Sequence, residues 1–165
     1  MTAQRELSAA PGTALLDEYL ETLALVERLH RLMLDVIKDE FERLGILEIN
    51  PVQALLLYNV GDNEVTAGEL RSRGYYQGSN VSYNLKKLVE TGYMHHQRCS
   101  TDRRAVRVRL TDRGHQVRNI LAGLFDRHAE LMERDGALTT DYCREVNRGL
   151  RRVERFWSDQ IRYIY

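Results

Sequence analysis

The chain is poor in several features that would define it cheaply. Its only thiols are Cys99 and Cys143. They stand far apart and lack the CxxC spacing of a zinc or redox motif, so two reduced thiols are expected, with a redox-sensor role as the alternative. Only two prolines are present, the formal net charge is zero and 43% of residues are hydrophobic, which excludes a disordered chain. No window approaches the roughly 18 uninterrupted apolar residues of a membrane span. The opening MTAQRELSAAPGTA lacks a basic stretch followed by an apolar run, so a cytoplasmic protein without a membrane partner is expected. There is no nucleophile motif, no glycine-rich phosphate loop and no ligand cluster. Catalytic residues, cofactors and metals are therefore not expected. His95 and His96 would point to opposite faces of a strand and cannot share one ion, and His30, His115 and His128 show no ligand spacing.

What is present is periodic. At 165 residues the length suits one domain with a substantial core. From about Leu15 to Leu44, Tyr19, Leu23, Val26, Met33, Ile37, Phe41 and Leu44 recur at three- and four-residue spacing, which predicts a long helix ended by Gly45. Such a length implies that another chain covers part of its apolar stripe. Asn50-Pro51 reads as cap and first helical residue of a short helix closed by Gly61. Thr66 caps a brief helix to about Arg73, and Gly78-Ser79 opens another, roughly Ser79 to Thr91, with Val81, Leu85 and Leu88 inward and Gly92 as its stop.

The period then changes to two. Val106, Val108 and Leu110 alternate with Arg107 and Arg109, Tyr93 to Cys99 supplies a partner strand, and Ser100 to Arg104 makes the hairpin tip. Thr111 caps a second long helix that frays near Gly136. A final helix from about Thr140 carries Val146, Leu150, Val153, Phe156, Trp157, Ile161 and Ile164, more bulky apolar surface than a lone monomer covers.

The neutral total conceals segregation. Arg71 to Arg113 holds ten basic residues against three acids, a net +7 balanced by −7 in the remainder. A polyanion partner requires such a local excess, because phosphate neutralisation with counterion release supplies most sequence-independent affinity. Helix, turn, helix and hairpin in that order are the parts of a winged helix-turn-helix. A protein-docking module on the same fold would present a neutral helix and wing, the opposite of this pattern.

In these residues the chain resembles the MarR family of bacterial regulators. The likeness runs through A-x-x-L at Ala67 and Leu70, S-x-x-S at Ser79 and Ser82, then Leu85, Leu88 and Gly92. It ends with D-x-R at Asp102 and Arg104 and L-T-x-x-G at Leu110, Thr111 and Gly114. It implies a mainly α fold with a small β-hairpin wing: a winged helix-turn-helix DNA-binding lobe over 50–113 and a helical dimerisation region over 14–45 and 115–165, all in a single domain. It further implies a homodimer on palindromic double-stranded DNA operators, a repressor role, and control by a small-molecule effector, metabolite or oxidant.

Carried over position by position, the resemblance makes Ser79, Asn80, Ser82, Tyr83 and Asn84 the groove-facing set, with Lys86 and Lys87 nearer the phosphates. Arg104 would enter the minor groove, oriented by Asp102, while Arg98 and Arg103 would meet phosphates. Arg107 and Arg109 share one strand face and are either phosphate contacts or else solvated or paired with acids. An effector pocket would involve His30, Met33, Leu56 and Tyr58. Two departures stand out: His96 occupies a position where the family commonly has a basic residue, and Tyr75-Tyr76 replace a leucine and glycine in the turn.

Overall fold

The structure is a computed structural model that describes residues 11–72, 78–98 and 106–164, with side chains over 12–70, 80–98 and 106–161. By its internal contacts the chain divides into two compact units, Met1–Leu121 and Ala122–Tyr165.

The first unit opens with α1, Pro11–Arg43. Only its last turns reach the core, through Ile37 and Phe41, while Leu15, Leu20, Leu29 and Leu32 are at least half exposed. Gly45, at φ +73°, stops it, and the Ile46 amide closes back on the Phe41 carbonyl at 2.9 Å, a hydrogen bond that a left-handed residue makes possible.

Helix α2, Pro51–Val60, begins as the dipeptide demands. Asn50 Oδ1 accepts from the Gln53 amide at 2.8 Å and the Gln53 side chain accepts from the Asn50 amide at 3.2 Å, a reciprocal capping box. Six of its ten residues are buried, so α2 is the central helix of this unit, packed against α1 and α4.

Strand β1, Val65–Thr66, was not expected from the sequence, because two residues are too few to display a period of two. It pairs antiparallel with β3, Val106–Leu110, which also pairs with β2, Met94–Arg98, giving a three-stranded sheet in the order β1-β3-β2. Thr66 serves twice, since its Oγ1 also caps α3, Ala67–Ser72, by accepting from the Glu69 amide at 3.1 Å. Helix α4, Gly78–Glu90, follows the sequence expectation to within one residue.

Register sets the faces of the hairpin. Met94 lies opposite Leu110, His96 opposite Val108 and Arg98 opposite Val106, so these six share one face, and Met94, Val108 and Leu110 are buried on it. The other face carries His95, Gln97, Arg107 and Arg109.

The L-T-x-x-G segment locks this sheet to α5, Asp112–Arg134. Thr111 Oγ1 accepts from the Gly114 amide at 3.2 Å and donates to the Gly92 carbonyl at 2.7 Å. A Cβ on Gly114 would stand 2.2 Å from the Tyr93 carbonyl oxygen, so only glycine permits this approach.

The second unit holds the end of α5 and α6, Thr140–Ile164. Gly136, at φ +67°, ends the first helix, and Thr139 Oγ1 caps the second through the Tyr142 amide at 3.3 Å. No described residue of α6 is buried. Among the described residues no helix is long and apolar enough to cross a membrane.

Candidate nucleic-acid interface

Helix α4 separates its faces cleanly. Val81, Leu85 and Leu88 are buried to 6% exposure or less and pin the helix onto the core through one stripe. Asn80, Ser82, Tyr83, Lys86 and Lys87 are exposed. Ser79 belongs to the first turn of α4, but its side chain lies outside the described ones. Lys86 and Lys87 both reach Glu90, at 3.8 and 3.6 Å, and the Lys87 ammonium stands 6.0 Å from the Tyr83 ring centre. One carboxylate shared by two solvated lysines leaves a net positive charge, and exposed pairs of this kind exchange readily for a phosphate.

Asn84 corrects the sequence reading. It is 7% exposed, its Nδ2 donates to the Asn80 carbonyl at 2.8 Å, and its Oδ1 accepts from Gln53 Nε2 at 3.3 Å. Three residues after Val81 and four before Leu88, it falls on the inward face, where it braces α4 against α2. It does not face a groove.

The wing is described up to its tip. Arg98 is exposed at the end of β2, and Arg107 and Arg109 are exposed on the outer sheet face. Asp102, Arg103 and Arg104, with Cys99, Tyr75 and Tyr76, lie outside the described residues. His96 is on the inner face and borders a groove of about 500 Å³ between α4 and the hairpin. Leu85, Val89, Val106 and Val108 give that groove its apolar lining, and Ser82, Lys86 and Glu90 its rim.

Arg113 and Leu56 depart from the sequence reading. Arg113, counted in the basic segment, is half exposed but held by its own chain, by Glu48 at 2.7 Å and the Thr91 carbonyl at 3.0 Å. Sequence pattern could not have found this, because Glu48 is 65 residues away. Leu56, offered as an effector contact, is fully buried and belongs to the core; a ligand would reach it only after repacking. Met33 and Tyr58 are half-buried and His30 is exposed on α1. Cys143 is a half-buried free thiol.

Comparison with known proteins bears on the family and the fold. Residues 49–114 match the winged helix DNA-binding domain family. The exopolysaccharide II synthesis transcriptional activator ExpG of Rhizobium meliloti (strain 1021) is 34% identical over 148 residues, covering 88% of this chain and 74% of the relative. Among solved structures, a MarR transcriptional regulator from Methanosarcina mazei Go1 superposes with a TM-score of 0.65 at 20% identity, over 88% of this chain and 98% of its own. A mutant MarR from E. coli complexed with operator DNA superposes at 0.64 and 22% identity, over 84% of this chain and 97% of its own. The transcriptional regulator SlyA reaches 0.71 at 18% identity, over 87% and 98%. At these identities the solved structures speak for the fold.

Proposed function

The chain belongs to the MarR family of winged helix-turn-helix transcriptional regulators, and from that premise we propose that it acts in the cytoplasm as a homodimer on palindromic double-stranded DNA, by binding and not by catalysis. The observation that carries this reading is the outward face of α4, where Asn80, Ser82, Tyr83, Lys86 and Lys87 stand exposed together beside a hairpin bearing Arg98. Ser79, Asn80, Ser82 and Tyr83 read base edges in the major groove, while Lys86, Lys87 and Arg98 neutralise phosphates. Arg104, oriented by Asp102, enters the minor groove and Arg103 takes a phosphate. The exposed apolar residues of α6, among them Val146, Phe156 and Ile161, support the dimer, which sets two recognition helices about one DNA turn apart.

The direction of regulation divides two readings. Repression is what the family resemblance implies. Activation is favoured by the 34%-identical relative, which is named as a transcriptional activator. Deleting the gene and measuring transcripts beside the strongest bound site separates them: a rise means repression and a fall means activation.

A small-molecule effector completes the proposal. Its support is the apolar groove between α4 and the hairpin, whose rim residues Ser82 and Lys86 are also on the DNA-facing side, so an occupant there changes how helix and wing meet the duplex. Coupling of about 1–3 kcal/mol would alter operator affinity roughly 5- to 150-fold.

Selection from a random-sequence duplex library tests the central claim. The native protein is expected to enrich a palindrome and to bind it with an affinity that falls steeply with salt. In the same assay Lys87→Ala should weaken all sequences alike and lower the salt slope by about one. Arg104→Ala should weaken binding strongly while the dimer persists. A library that enriches nothing would overturn the proposal.

A further inference from the structure

Outside the proposed DNA-facing residues lies a second cluster, built around the buried Tyr93 with Arg113 and Glu48 half exposed. It joins four segments of the first unit: Glu48 in the α1–α2 connection, Thr91 just past α4, Tyr93 just before β2, and Arg113 in the first turn of α5. The Arg113 guanidinium donates to Glu48 Oε1 at 2.7 Å, to the Tyr93 hydroxyl at 2.9 Å and to the Thr91 carbonyl at 3.0 Å. It also stacks on the Tyr93 ring, 4.4 Å from its centre. The Tyr93 hydroxyl in turn donates to Glu48.

The placement gives these contacts a consequence. Thr91 is the end of the recognition helix, and Tyr93 and Arg113 flank the two roots of the wing, β2 starting at Met94 and β3 ending at Leu110. The peptide bonds between them are tied as well, Tyr93 N–H to the Leu88 carbonyl at 2.8 Å and Thr111 N–H to the Tyr93 carbonyl at 3.1 Å. A planar guanidinium that forks, stacks and reaches a carbonyl at once fixes an angle in a way that an ammonium cannot.

We propose that Arg113, anchored by Glu48, is a positioning residue for DNA binding: it sets the angle between α4 and the wing by clamping Thr91 and Tyr93. The role rests on the DNA-binding reading above, since the angle matters because helix and wing must meet one duplex together. Arg113 therefore acts through geometry and not as one more phosphate contact, although it lies in the basic segment.

The two roles predict opposite results for conservative variants, measured on the duplex enriched by the native protein from the random library. For a positioning residue, Arg113→Lys keeps the charge and still weakens binding about 5-fold. Glu48→Gln, which removes a negative charge, weakens it by a similar factor, and neither changes the salt slope. For a phosphate contact, Arg113→Lys binds like the native protein, Glu48→Gln binds tighter, and Arg113→Gln lowers the slope by about one. That second pattern overturns the proposal.

A DNA-free measurement separates failure of the clamp from failure of the DNA reading. Amide hydrogen exchange at Tyr93 and Thr111 should quicken about 5-fold in both conservative variants, with the overall melting transition kept. Unchanged exchange overturns the clamp even if DNA affinity falls. A library that enriches no duplex overturns the DNA reading, and the positioning role with it, whatever the exchange rates.

Discussion

Helices α2 and α6 are both rich in apolar residues, yet they end in opposite conditions. Six of the ten residues of α2 are buried, and Leu56 and Leu57 are completely so. In α6 no described residue is buried, and Val146, Leu150, Phe156, Trp157 and Ile161 stay between 37% and 59% exposed. The patterns differ accordingly. Apolar residues surround α2 on every side, as in a helix enclosed by its own chain. In α6, Val146, Leu150, Val153, Trp157 and Ile161 follow one stripe, and Arg144, Arg148, Arg151, Arg152 and Arg155 lie opposite. A single helix face of that kind has value only when something apolar meets it. Helix α2 is part of a core, whereas α6 carries an exposed apolar stripe, the surface on which the proposed dimer rests.

Charged substitutions on that stripe break the comparison most severely. Trp157→Asp with Ile161→Asp should abolish self-association, seen by sedimentation velocity, and lower operator affinity roughly 10²- to 10⁴-fold as bivalent binding is lost. Melting should also cease to depend on protein concentration. Leu56→Ala should do the reverse, costing about 2–5 kcal/mol at every concentration while the stoichiometry stays the same. If the α6 variant remains a dimer, its stripe is not the interface.

Within the DNA-binding lobe the same contrast of inward and outward recurs between Asn84 and Asn80. Asn84→Ala strands the Gln53 amide that donates to it and should lower stability by about 1–3 kcal/mol in urea, leaving the ranking of operator variants as it was. Asn80→Ala, at an exposed position, should keep stability within about 0.5 kcal/mol and relax the ranking. An exchange of these phenotypes would put Asn84 back in the groove.

These cases also mark what could be read in advance. The ends of α2, α3 and α5 were legible because Asn50, Thr66 and Thr111 cap amides only three residues away, and local hydrogen bonds leave local signatures. The hairpin was legible from alternation, but β1 was not, since Val65–Thr66 is defined only by its distant partner. Asn84 carries two conflicting signals: its polarity suggests a groove contact, while its spacing from Val81 and Leu88 assigns it inward, and the spacing prevails. Arg113 is the harder case. Its charge is visible in the segment count, whereas its partners come from three other places in the chain, so charge alone could not tell a clamp from a contact.

The smallest effect concerns Tyr93 and separates the lobe's internal chemistry from its surface. Burial pushes the Tyr93 hydroxyl above its ordinary pKa, and the hydrogen bond it donates to Glu48 pushes the same way, while Arg113 opposes both. Because the folded pKa exceeds the unfolded value of about 10, folding retains the proton more tightly. The resulting stability is fully present below the unfolded value and is lost as pH rises through the folded one. Native protein should therefore lose stability above about pH 10 faster than Tyr93→Phe, read as the gap between their urea midpoints across that range. The other tyrosines titrate in both proteins and cancel in the difference. Parallel alkaline curves would mean that Tyr93 ionises as freely in the folded chain as in the unfolded one, and that its link to Glu48 does not hold in solution.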